Sequence, residues 1–158
     1  LESRAFQDQF AEVGFHHCWG CGSQNEHGLQ IKSCWDGDEG VCTWQPQPYH
    51  QAWPGIVNGG ILATIIDCHC ASTAAAAAYR AENRALTTLP IIAYVTGSLH
   101  ISYLRPTPIT APLLLRAAIK EQTARKTIVT CTLSAQGEIC VRAEAVMVRL
   151  PAASGAGT

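Results

Sequence analysis

The sequence predicts an α+β domain in which a β-hairpin leads to one long buried helix and then to an antiparallel meander. Three observations carry this. Residues 60–81 have helical composition, with Ile61, Ile65 and Ile66 giving way to the alanine run 74–78. Four β-like runs follow, at 94–104, 113–122, 126–135 and 138–149. Ahead of the helix, residues 29–46 read as two extended stretches around the turn DGDEG.

Each element has its own signal. Phe6, Phe10 and Val13 make residues 1–14 a short amphipathic helix ended by Gly14. A loop rich in Cys, Gly and His follows, HHCWGCGSQNEHG, then the hairpin, then the loop QPYHQAWPG. Twenty-odd helical residues span on the order of 30 Å, the width of a small domain. The small side chains of this helix allow close approach, which places it at the centre of whatever wraps it. Alternation is clearest in the last strand, where Ile139, Val141, Ala143, Ala145 and Met147 share a face opposite Arg142 and Glu144. Turns at LRPTPITAP, TAR and AQGE join the four strands. Residues 1–150 are expected to form a single domain, of which 1–27 are the N-terminal helix and loop, and 151–158 a flexible tail.

Composition bounds the function. The 158 residues are 47% hydrophobic and 15% charged, enough for one core without cross-links. A net charge of -1 argues against a general nucleic-acid binder, which needs a cationic surface. The chain opens without a signal-peptide pattern, so the eight cysteines are expected to be reduced thiols in a cytoplasmic protein. The stretch 55–79 is long enough to cross a bilayer and lacks Lys and Arg, but it contains Asn58, Asp67 and His69. An Asp near mid-span costs roughly 2.5–3.5 kcal/mol, so no membrane span is expected.

Asp67 is the residue that asks for an explanation. The pair Gly59–Gly60 opens the helix, where backbone N–H groups lack internal partners and favour an anion or a polarised carbonyl. At 3.6 residues per turn, positions 60 and 67 point to nearly the same side, so one helix face offers a backbone donor and a carboxylate. The residues alone leave a second reading equally open, that of a buried structural acid capping a loop or pairing with an arginine.

The stretch PGIVNGGILATIID, followed by TGSLHISYLRP and a basic hairpin turn at Arg125–Lys126, resembles the hotdog-fold acyl-CoA thioesterases, in particular their PaaI-like branch. CWGCGSQNEHGL resembles an N-terminal loop that many members carry, so the likeness covers about residues 16–149. It implies a hotdog fold, a five- or six-stranded antiparallel β-sheet wrapped around one long central helix. It also implies a homodimer or a dimer of dimers, with sheets paired edge to edge and active sites at the interface. By this likeness the Gly60 amide polarises a thioester carbonyl, while Asp67 activates water or attacks the carbonyl itself. Thr96 matches a hydroxyl residue that helps hold the water, expected from the neighbouring protomer. Arg105, Arg125 and Lys126 would meet the phosphates of coenzyme A, Gly59 would let the backbone approach the substrate closely, and His50 and Trp53, with Tyr49, would line the entrance. No metal and no cofactor is expected, coenzyme A entering only as part of an acyl-CoA substrate.

The bland alternatives are an ordinary strand threonine at 96, solvated turn charges at 105, 125 and 126, and interface packing by His50 and Trp53. Asn58 departs from the pattern, which usually has His there; Asn holds a loop but does not titrate. Cys18 and Cys21 have the C-x-x-C spacing of zinc or redox sites, with His16, His17 and His27 nearby, but no second such pair completes a tetrahedral set. Cys68 and Cys70 read as core fillers, and His69 as a packed or hydrogen-bonded structural residue. The first reading is therefore an acyl-CoA thioesterase. Its rivals are a catalytically weak acyl-CoA-binding or sensing protein, suggested by Asn58, and an enoyl-CoA hydratase or dehydratase of the same fold.

Overall fold

The structure, a computed structural model, describes residues 4–10 and 15–152. Its elements are α1 (Phe6–Gln9), β1 (Ser33–Asp36), β2 (Glu39–Trp44), α2 (Gly59–Ala81), β3 (Tyr94–Tyr103), β4 (Leu113–Gln122), β5 (Lys126–Ala135) and β6 (Glu138–Arg149), with single 3-10 turns at Phe15–His17 and Pro48–His50. All strands pair antiparallel in one six-stranded sheet of order β1-β2-β4-β5-β6-β3.

The sheet wraps α2, as expected. On β4 and β5, Leu113, Leu115, Ala117, Val129, Cys131 and Leu133 turn inward and the residues between them outward, the period-two pattern of a sheet buried on one side. Ile65, Ile66, Ala74, Ala76 and Tyr79 of the helix are almost fully buried, each large one contributing about 1.5–3 kcal/mol. The alanine run lets strands approach on several sides, so an Ala74→Leu substitution would overpack the core at a cost of about 1–3 kcal/mol. The helix is long and apolar enough to cross a membrane, yet 67% of its most apolar window lies buried inside the fold.

Two boundaries differ from the sequence reading. Among the described residues of the expected N-terminal helix, Phe6–Gln9 are helical; residues 1–3 and 11–14, with Val13 and Gly14, lie outside the described residues. The hairpin strands are shorter than 29–46, because Leu29 and Ile31 give their N–H groups to the carbonyls of Trp19 and Gly20 and so belong to the N-terminal loop. Of the expected tail, Pro151 and Ala152 are irregular and the rest lies outside the described residues.

Candidate active site

The start of α2 is built by Asn58. Its Oδ1 accepts the N–H groups of Gly60 (2.8 Å) and Ile61 (3.2 Å), a side-chain N-cap typically worth about 1 kcal/mol. The Gly60 N–H, assigned from sequence as the carbonyl-polarising donor, is therefore already engaged. The Gly59 N–H meets no acceptor among the described residues. Tyr103, on β3, donates its hydroxyl to the Gly59 carbonyl at 2.8 Å, pinning this end of the helix to the edge strand. His50 supports the same corner: its carbonyl accepts from the Asn58 N–H at 2.8 Å, and its Nδ1 accepts from the Gln47 N–H at 2.9 Å. The ring packs between Trp44 and Tyr49, and burial holds its pKa below the usual value.

Asp67, half-buried two turns further along, receives a hydrogen bond from Thr96 Oγ1 at 2.5 Å. Thr96, expected by the resemblance to act from the neighbouring protomer, reaches the carboxylate of its own chain here. The cause is local. The β3–β6 register shifts between Thr96 and Ser98, a bulge centred on Gly97. A Cβ on Gly97 would lie 2.9 Å from Val148 Cγ2, so the bulge needs a residue without one. Tyr94 and Thr96 thereby face the helix on one side of the bulge, with Leu99 and Ile101 on the other.

Asp67 and Thr96 share the wall of a cavity of about 280 Å³ with Phe10, Cys18, Cys21 and Cys68. Ala71 and Ala75, one and two turns beyond Asp67, leave the room for it. The cysteines make its polar corner. Hydrogen bonding from the Cys68 thiol pulls Cys21 down to about 7, against the desolvation of its half-buried position and with further help from Cys18. The same contact pushes Cys68 upward. Sequence reasoning treated Cys68 as core filler and did not see that the N-terminal loop meets it; only the C-x-x-C spacing hinted at anything.

His69 faces away from Asp67, as expected. It is fully buried, with Nε2–H directed at the Gly40 carbonyl (3.0 Å) and Nδ1 accepting from Ser33 Oγ (2.8 Å). Ser33 Oγ in turn accepts from Gln7, whose amide also reaches Ser72 Oγ at 3.0 Å. Desolvation lowers the His69 pKa to about 4, so the ring is neutral and structural.

The remaining candidates are not gathered with these. Trp53 and Tyr49 are 78% and 80% exposed, and Arg105 is paired with Glu138 at 2.7 Å. Arg125 and Lys126 sit in the β4–β5 turn, where Thr123 Oγ1 accepts both backbone N–H groups, and their side chains have no acidic partner among the described residues. The structure thus divides the predicted set into a helix-start group (His50, Asn58, Gly59, Gly60) and a mid-helix group (Asp67, Thr96).

Comparison with known proteins places this geometry. Residues 54–141, more than half of the chain, match the family model of the thioesterase superfamily. A thioesterase superfamily protein from Shewanella loihica PV-4 superposes with a TM-score of 0.65 at 36% identity, covering 82% of this chain and 98% of that one. The E. coli PaaI protein from the phenylacetic acid degradation operon shares the fold, with a TM-score of 0.64 at 17% identity over 78% of this chain and 82% of its own. In sequence, the chain is 27% identical over 105 residues to the acyl-coenzyme A thioesterase THEM4 of Xenopus laevis, which is 66% of this chain but 41% of that protein. The chain therefore spans well under half the length of that relative. With a six-stranded antiparallel sheet around one long helix, and the family pattern running from Pro54 into β6, the chain belongs to the hotdog-fold thioesterase superfamily.

Proposed function

We propose that this protein hydrolyses an acyl-CoA thioester to the free acid and coenzyme A, in a site completed by a second copy of the chain. The observation that carries this reading is the Thr96–Asp67 pair at the cavity wall, set against an unengaged Gly59 N–H at the helix start.

Geometry argues for two copies. Gly59 and Asp67 are eight residues apart on one helix, so their backbones lie about 12 Å apart along its axis. A side chain leaning toward the N-terminus closes only a few ångströms of that. A carbonyl carbon must lie about 3 Å from both nucleophile and oxyanion donors, so the two groups of one chain do not serve one carbonyl. The sheet offers a way to bring them together. β3 is a ten-residue edge strand with Val95, Thr96, Gly97 and Ser98 exposed, an unpaired edge suited to antiparallel pairing with its own copy. Two-fold pairing there sets the helix start of one protomer against the middle of the other's helix and makes two equivalent sites.

In such a site the Gly59 N–H polarises the thioester carbonyl and holds the oxyanion, a kind of contact worth about 2.7–4 kcal/mol. Asp67, its Oδ1 held by Thr96, takes a proton from the attacking water or attacks the carbonyl carbon itself; the intermediate collapses by breaking the C–S bond and expelling coenzyme A as its thiolate, and in the second route water then hydrolyses the acyl-aspartyl anhydride to the free acid and restores Asp67. Asn58 positions rather than titrates, satisfying the Gly60 and Ile61 amides so that Gly59 alone is presented. Arg125 and Lys126 are cations free to meet phosphates. Neither a metal nor a redox cofactor takes part in these steps, and a cytoplasmic location suits the free thiols.

Free coenzyme A released from a panel of short, medium, long and aromatic acyl-CoAs, followed by chromatography for wild type and Asp67→Asn, tests the reading. Turnover by wild type that falls by about 10²–10⁴ in the variant is expected. Tight binding without turnover would replace it with an acyl-CoA-binding role, and hydration of an enoyl-CoA with a hydratase.

A further inference from the structure

Outside the acid and its threonine, the densest group of reactive side chains is sulfur. Cys18 and Cys21 come from the N-terminal loop and Cys68 from α2, and their Sγ atoms all lie within 4.8 Å of one another. Cys18 Sγ and Cys68 Sγ are 3.7 Å apart. Two thiolates bound to one tetrahedral zinc at about 2.3 Å each stand about 3.8 Å apart, the edge of the coordination tetrahedron.

We propose that Cys18, Cys21 and Cys68 form a binding site for a thiophilic d10 cation, zinc(II) in the first instance, with the fourth coordination position facing the cavity. Three features of the surroundings separate this cluster from chance packing of core cysteines. The turn that carries the C-x-x-C pair is closed by the Gly22 N–H bonding to the Cys18 carbonyl at 2.8 Å and the Cys18 N–H to the Phe15 carbonyl at 3.2 Å, which holds both sulfurs on one side. Gly20, between them, lies so close to the helix that any side chain there would strike the Cys68 sulfur, so the loop is seated on its third ligand. Cys18 and Cys21 are only half-buried and all three thiols line the cavity, which gives an ion its way in. Cys70 and Cys131 make the contrast: they also meet, but both are sealed in the core, and among the described residues they belong to no three-ligand group.

Soft thiolates select zinc or copper(I) over calcium and magnesium, and three of them leave one position for water or a ligand atom from the cavity. The site departs from the sequence reading, which found no partner for the C-x-x-C pair. Cys68 is fifty residues distant in sequence and only the fold supplies it.

The test titrates zinc(II), and separately cobalt(II), into the reduced protein in the presence of a phosphine reductant. One equivalent of zinc is expected to bind. Cobalt is expected to show thiolate charge-transfer absorption in the near ultraviolet and the visible bands of a tetrahedral site. Cys18→Ser and Cys21→Ser, at half-buried positions where folding is readily checked by circular dichroism, should each weaken zinc binding at least tenfold and reduce the charge-transfer intensity by about a third. Cys34→Ser, outside the cluster, should leave both unchanged. Substoichiometric binding by wild type, a cobalt spectrum without thiolate bands, or full affinity retained by Cys18→Ser and Cys21→Ser would overturn the site. None of these readouts depends on hydrolytic activity.

Discussion

Thr96 Oγ1 donates to Asp67 Oδ1 at 2.5 Å within one chain, tying the edge strand to the middle of the central helix. The bond is strand-specific: without the bulge at Gly97, Thr96 would not share a face with Tyr94 while Leu99 and Ile101 also turn inward. Thr96→Val keeps the β-branched shape that suits an exposed strand and deletes only the hydroxyl. A hydrogen bond to a charged group is worth about 1.5–3 kcal/mol to the fold, so the unfolding midpoint should drop and kcat for acyl-CoA hydrolysis should fall about 10–100-fold. Steady-state kinetics beside a thermal melt checks both halves; full activity would make the pair merely structural.

Gly59 and Asp67 are predicted to act across a pair of chains. Gly59 is the first helical residue, and Asn58 before it has φ -58° and ψ 132°, a conformation that proline permits in its predecessor. Gly59→Pro should therefore keep the helix, remove the single candidate donor and lower kcat by about 10²–10³. Mixing and refolding Gly59→Pro with Asp67→Asn should then restore about a quarter of wild-type activity, because half of the dimers are mixed and each holds one intact site. No recovery, with mixed dimers shown by mass spectrometry, would return both groups to a single-chain site.

His69 should make the fold acid-sensitive. Its pKa is about 4 when folded and 6.5 in the unfolded chain, so between these values the unfolded state binds the extra proton. The contribution is full above pH 6.5 and is lost as pH falls toward 4, on the order of 3 kcal/mol in total. Urea unfolding at pH 7.5 and pH 4.5 should show this fall in wild type. His69→Gln should be less stable at pH 7.5 but show a shallower loss; an unchanged slope would locate the acid sensitivity elsewhere.

Arg125 and Lys126 carry the expectation of phosphate contact. The double substitution to Ala should raise KM for a coenzyme A thioester about 2–10-fold, the scale of two exposed charge pairs, and leave kcat unchanged. With a thioester of N-acetylcysteamine, which has no phosphates, KM should not move. Arg105→Ala is expected to do less, since Glu138 already holds that guanidinium.

Much of this molecule was legible from residue order, because its signals are local. Helix composition, two-residue alternation and turn chemistry act over a few neighbours, and they placed α2 and β3 to β6 within a residue or so of their observed ends. Spacing likewise singled out the glycine pair and Asp67, and the family resemblance added Asn58 and Thr96. What it did not reach were relationships settled by chain segments far apart in sequence. Which glycine keeps a free N–H depends on where the Asn58 carboxamide turns, and the partner of Thr96 depends on a bulge in the β3–β6 register. Cys68 looked like core filler until the N-terminal loop was seen to close over it with two further sulfurs. Residue types and spacing determined the fold class and, through the family resemblance, named the candidate groups; only the tertiary structure decided which of those groups meet, because hydrogen bonds and contacts of a few ångströms respond to packing that no local pattern encodes.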